Sequence, residues 1–174
     1  MPETRDIPVV SLVGKSGSGK TTLMEKVVRE LVSRGYRVAT CKHHVHEIDI
    51  DVPGKDSWRH AHAGAEVAMI SSPTQFAVVR KVPIERTLAE IAAEAGDADI
   101  LLTEGFKRAG SIRIEVSRDE RSGELISESG ELFALVTDGR REVSGVPLFG
   151  LDDAIPLADL IERTFLAKET RDGD

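Results

Sequence analysis

The stretch IPVVSLVGKSGSGKTTLMEKVVRELVSRG, residues 7–35, decides the fold. Residues 7–13 are apolar and rich in β-branched side chains, as in a strand covered on both faces. A Gly/Ser turn follows at residues 14–19. Beyond it Leu23, Met24, Val27, Val28, Leu31 and Val32 recur at helical spacing, and Gly35 supplies a stop. Residues 37–41 form a second short strand. Strand, turn, helix and strand in this order predict a βαβ unit with parallel pairing and a right-handed crossover.

The turn reads Gly14-Lys15-Ser16-Gly17-Ser18-Gly19-Lys20-Thr21 and matches the P-loop pattern without a departure. Glycines let the backbone curl until successive N–H groups face inward around phosphate oxygens. The following helix adds its positive N-terminal end. Lys20 is placed to reach the β- and γ-phosphates, and the Thr21 hydroxyl to take one Mg²⁺ position. A plain flexible Gly/Ser loop would not sit between a buried strand and an amphipathic helix.

The second candidate is Glu104, in Asp99-Ile100-Leu101-Leu102-Thr103-Glu104-Gly105. A carboxylate ending such a strand holds Mg²⁺ directly or through water. Ligands sit at the carboxyl ends of strands in open α/β sheets, so Glu104 is expected to face the P-loop. Lys20 and Glu104 are therefore the candidates for supporting phosphoryl chemistry. Asp99 stands at the other end of the strand and reads as a turn residue. Lys107 and Arg108 add local positive charge.

All five histidines, His43, His44, His46, His60 and His62, fall within twenty residues, interleaved with Asp49, Asp51, Lys55 and Asp56. The polar run 42–57 leaves the second strand beside the expected phosphate site. It is open to three readings: Mg²⁺ ligation, binding of a second anion, or transition-metal coordination. A solvated loop is the plain alternative, and no established zinc spacing is present. Further on, Asp56 or Ser57 is expected to cap a short helix ending near Gly64. Residues 67–70 and 76–82 suggest a hairpin, so the sheet is expected to be partly mixed. Ile84, Leu88, Ile91, Ala92 and Ala95 outline a helix ended by Gly96. Strands follow at 99–103, 112–116, 132–136 and 146–149. A last helix carries Ile155, Leu157, Leu160, Ile161 and Phe165.

The fold class expected is α/β, a three-layer α/β/α P-loop NTPase with a mostly parallel sheet. A single domain is expected over residues 1–167, with 168–174 a disordered tail. At 174 residues such a domain buries a core without disulfides, and the lone Cys41 fits a reducing cytoplasm. No apolar run approaches the roughly 18 residues of a membrane span, and no signal-peptide pattern is present. A net charge of −7 argues against a nucleic-acid partner, though not against a phosphorylated ligand.

The chain resembles the molybdopterin-guanine dinucleotide biosynthesis adapter family, MobB. The P-loop is widely shared. The run KHHVHEIDIDVPGKDS (residues 42–57), Ala63-Gly64-Ala65 and Thr103-Glu104-Gly105-Phe106-Lys107 are more particular. Val45 stands where the family's Lys-His-x-His-His loop has histidine. The resemblance implies GTP and Mg²⁺ as cofactors, at most slow hydrolysis, and a homodimer. The implied partners are a molybdenum cofactor guanylyltransferase and molybdopterin-bearing proteins. By position it implies a nucleotide cradle of Gly14, Lys15, Gly17, Ser18, Gly19, Lys20, Thr21 and Thr22. It implies metal-side oxygens from Thr21, Asp49 or Asp51, and Glu104. The usual Asn-Lys-x-Asp guanine box is absent, and Asp138, after the strand at 132–136, is its nearest positional equivalent. Lys15 also stands where dimeric P-loop ATPases carry a lysine that reaches across to the partner's nucleotide. Two other readings are a nickel-insertion GTPase chaperone, suggested by the histidines, and a small-molecule kinase using Arg118 and Arg121.

Overall fold

The computed structural model describes residues 6–106, 112–120, 124–139 and 141–167. In chain order the elements are β1 (Val9–Val13), α1 (Lys20–Ser33), β2 (Val38–Lys42), α2 (Asp56–His62), β3 (Val67–Ser71) and β4 (Phe76–Arg80). Then come α3 (Leu88–Ala93), β5 (Ile100–Glu104), β6 (Ile112–Ser117), β7 (Leu132–Thr137), β8 (Leu148–Phe149) and α4 (Ala154–Ile161). A π-helical turn, Glu162–Leu166, prolongs α4. The chain forms two compact units: His44–Arg86, and the described residues on either side of it. Lys107, Arg108, Arg121 and the tail at 168–174 lie outside the described residues.

In the larger unit six strands pair in the order β2-β5-β1-β6-β7-β8, and every pairing is parallel. Alternation puts Val10, Leu12, Ile100, Leu102, Ile114, Val116, Ala134 and Val136 into one core. Leu23, Met24, Val27 and Leu31 of α1 and Leu157, Ala158 and Ile161 of α4 fill it from the helix side. Each fully buried aliphatic side chain contributes about 1.5–3 kcal/mol. The opposite parity is more polar yet equally buried. Ser11 and Thr103, register partners in β1 and β5, share a 2.6 Å hydrogen bond. The Glu115 carboxylate accepts from the backbone N–H groups of Ile126 at 2.8 Å and Ser127 at 2.9 Å. The charge is thus solvated by protein amides rather than water.

Helix α1 ends in a Schellman closure: Tyr36 N–H donates to Leu31 O and Gly35 N–H to Val32 O. Gly35 takes φ +90°, which any side chain would resist. Arg34 and Tyr36 then tie the helix end to Glu162, at 2.5 and 2.7 Å. These bonds hold the Glu162 carboxyl below the ordinary glutamate range, Tyr36 contributing most and Arg34 next.

Several expected details shift. The antiparallel hairpin exists, but β3 and β4 form a separate two-stranded sheet in the smaller unit. Ile84 does not join α3, because Thr87 caps that helix in a reciprocal box with Glu90 and so starts it at Leu88. Ile155 points away from the core. The buried face of α4 is Ala154, Leu157, Ala158, Leu160 and Ile161, which leaves residue 155 60% exposed. Val32, expected on the buried stripe of α1, is 53% exposed. In α2, Asp56 is the first helical residue and Lys55 the N-cap, with no side-chain capping bond.

Candidate functional site

The P-loop leaves β1 at the carboxyl end of the sheet and turns into α1. Gly14 has φ +146°, and a Cβ there would lie 2.2 Å from the Val116 carbonyl oxygen of β6. The first glycine is therefore required by a backbone that passes directly over the next strand. Gly19 is the N-cap of α1, in the left-handed region, with no side-chain cap and no acidic residue in the first turn. The amide end of a fourteen-residue helix is thus left facing the loop without a side-chain acceptor, which suits an anion. Lys20 folds back, its Nζ donating to the carbonyls of Gly14 at 3.1 Å and Lys15 at 2.8 Å. The Ser18 hydroxyl is buried without a hydrogen-bond partner.

On the β5 side, Thr21 and Glu104 meet. The Thr21 hydroxyl donates to Glu104 Oε2 at 2.9 Å. The other oxygen, Oε1, lies 3.6 Å from Lys42 Nζ. In register, Lys42 is opposite Glu104, which explains the pairing. Gly105 takes φ +102°, and a Cβ would come 3.2 Å from His43 O. His43 N–H donates to Glu104 O at 2.8 Å, and the His43 ring meets Phe106 in a tilted contact at 4.6 Å. An alcohol and a carboxylate in contact at a helix N-terminus form an oxygen donor pair suited to a hard cation such as Mg²⁺. These two residues fit that ion.

On the β6 side, Arg118 Nε donates to Ser18 O at 3.3 Å. Asp119 N–H donates to Asp138 Oδ1 at 3.0 Å, and Gly139 N–H to Thr137 Oγ1 at 3.0 Å. Asp138 thus braces the turn after β6. Lys26, farther along α1, meets Asp152 at 2.6 Å, and this bond, with Arg118 at longer range, holds the Asp152 carboxyl below its usual range.

The structure therefore brings together Gly14, Lys15, Gly17, Ser18, Gly19, Lys20, Thr21, Thr22 and Glu104, with Asp138 two strands away from the loop. Asp49 and Asp51 belong to the smaller unit. There Asp49 Oδ2 accepts from the Trp58 indole at 2.7 Å, and Asp51 Oδ1 from the Val52 amide at 2.8 Å. His62 stacks on Trp58 at 3.7 Å. Among the described residues, no three His, Cys, Asp or Glu side chains converge to hold a metal ion. Burial pushes the Cys41 thiol up, which keeps it protonated and a poor ligand at neutral pH. Asp99 accepts from Arg37 N–H at 2.9 Å, a structural contact. Sequence reasoning missed Lys42 as Glu104's neighbour, and it placed Arg118 only as a kinase-type arginine. The strand register could have found the first; the second needs the strand order.

A glycine-rich loop between the first strand and first helix of a parallel sheet, with an acidic residue ending the adjacent strand, places the chain in the P-loop NTPase class. Within that class it belongs to the MobB family: the model for "Molybdopterin guanine dinucleotide synthesis protein B" matches residues 9–138. The molybdopterin-guanine dinucleotide biosynthesis adapter protein of Haemophilus influenzae is 33% identical over 158 residues, covering 90% of this chain and 88% of that one. The adapter protein of Escherichia coli is 33% identical over 162 residues, covering 89% and 91%. The crystal structure of Bacillus subtilis MobB aligns with a TM-score of 0.75 at 27% identity, covering 91% of this chain and 98% of that one.

Proposed function

We propose that this protein is a GTP-binding adapter in molybdenum cofactor guanylylation. GTP and Mg²⁺ occupy the P-loop, and a cytoplasmic guanylyltransferase and molybdopterin-bearing proteins are the partners. The observation that carries the reading is the contact of Thr21 with Glu104 at the mouth of an uncapped P-loop helix. That pair supplies oxygens for the metal. Lys20 supplies charge for the phosphates, and the glycines supply backbone amides. Family membership supports guanylylation as the setting. No helix among the described residues is long and apolar enough to cross a membrane, which is compatible with a cytoplasmic adapter.

Hydrolysis is slow in this reading. Glu104 is engaged by Thr21 and Lys42 and so is placed to hold a cation, not to take a proton from water. Binding and docking carry the function, and the active species is a homodimer. Nucleotide can regulate docking only through a difference in affinity between partner-competent and other states. Calorimetry of GTP against ATP with Mg²⁺, repeated with the guanylyltransferase present, tests this. The expected result is preferential GTP binding and a partner affinity that changes with nucleotide. Equal partner affinity with and without GTP would overturn the regulatory part, and absence of GTP binding would overturn the whole.

A further inference from the structure

The P-loop has two flanks, and only one is accounted for. Thr21 and Glu104 meet on the β5 side of β1, where the proposed function puts the metal and the γ-phosphate. A nucleotide lying across the carboxyl ends of the strands must then carry its nucleoside toward the other neighbour, β6, and on to β7. The described turns there are residues 117–120 and 137–139, and the cation among them is Arg118.

Three observations define what Arg118 is set up to do. First, it is held on the loop wall. Its Nε bonds the Ser18 carbonyl at 3.3 Å, and its Nη2 lies 3.6 Å from where a Cβ on Gly19 would stand. Second, the turn that carries it is locked. Asp119 N–H bonds Asp138, and the Asp119 carboxylate covers Gly139 so closely that a Cβ there would fall 1.9 Å from its oxygen. Third, the unit has no aromatic free for a base at this end. Tyr36, Phe133, Phe149 and Phe165 pack against the core, and Phe106 lies in tilted contact with His43 beside Glu104. A planar guanidinium is the side-chain group that replaces an aromatic ring as a stacking surface.

We propose that Arg118 is the nucleobase platform of this site, its guanidinium plane lying under the purine while Lys20 and Glu104 serve the phosphates. The proposal rests on the nucleotide-binding reading above. It turns a residue that sequence suggests for phosphoryl transfer into one that selects the nucleoside. It also gives Asp138 a bracing part at the same subsite.

The test compares GTP with inorganic tripolyphosphate, each with Mg²⁺, by calorimetry on the full chain. Arg118→Ala should weaken GTP binding about tenfold, as expected for a partly desolvated cation–π contact, and leave tripolyphosphate binding unchanged. Arg118→Lys keeps the charge without the plane and should recover only part of the loss; it also serves if the alanine variant fails to fold. Equal losses for GTP and tripolyphosphate would make Arg118 a phosphate ligand and overturn the proposal, as would full rescue by lysine or unchanged GTP affinity. A wild-type protein that binds tripolyphosphate but shows no added affinity for GTP overturns the platform while sparing the P-loop. A wild-type protein that binds neither overturns the nucleotide reading itself.

Discussion

The two units use the same side chains to opposite ends. VVSLV in β1 and FAVVR in β4 are both β-branched strand sequences. In the larger unit Val10, Leu12 and Val13 are fully buried, whereas Phe76 is 66% and Val78 45% exposed. Met69 and Ile70 of β3 are exposed as well. The difference teaches that composition reports the strand, and the number of neighbouring layers decides whether the strand is also core. A six-stranded sheet capped by α1 and α4 excludes water from one whole face; a two-stranded hairpin has no means to do so.

The sharpest way to break this comparison is to truncate equivalent apolar residues in the two units. Leu102→Ala removes a fully buried side chain between α1 and the sheet, and should cost about 2–5 kcal/mol in denaturant unfolding. Val78→Ala, on the exposed hairpin, should stay within about 0.5 kcal/mol. Equal costs would mean that the hairpin is covered in solution.

Charged positions sharpen the functional side of the same contrast. Lys20→Ala should lower GTP affinity about ten- to a hundredfold, the value of a bond between charged groups. Glu104→Gln should spare much of the binding but reduce Mg²⁺ dependence and hydrolysis, since shape is kept and charge removed. Asn at Asp49 or Asp51 tests whether the smaller unit contributes to the metal: wild-type Mg²⁺ dependence in both variants would confine the metal site to Thr21 and Glu104.

The smallest expected effect is in acid. Because the Glu162 carboxyl is held below its usual range in the folded chain, its contribution is fully present above the unfolded value of about 4.3. It is lost as pH falls through the lowered folded value. Thermal unfolding from pH 6 to pH 3 should show a modest decline that Glu162→Gln flattens.

Much of the larger unit was legible in the sequence because local rules and tertiary packing agree there. The β1–P-loop–α1 run needs its glycines for backbone reasons, and Glu104 ends a buried strand as expected. The reading failed where a cap or a helix phase was misplaced. Thr87 starts α3 at Leu88, and the phase set by Leu157, Ala158 and Ile161 in α4 turns Ile155 outward. Contacts between strand ends, such as Lys42 with Glu104 and Arg118 with Ser18, depend on strand order. Periodicity carries no information about that order.

The Lys42–Glu104 pair bears on when the metal arrives. With its ammonium 3.6 Å from Oε1, Lys42 partly offsets the charge of the carboxylate that a divalent ion would seek. A bare Mg²⁺ must compete with a resident counterion, and only the difference between the two attractions holds it. An ion that comes with phosphate oxygens brings ligands of its own and would meet less of that competition. If the site works as proposed, this pair would favour the metal–nucleotide complex over the free ion, so that electrostatics would order the loading.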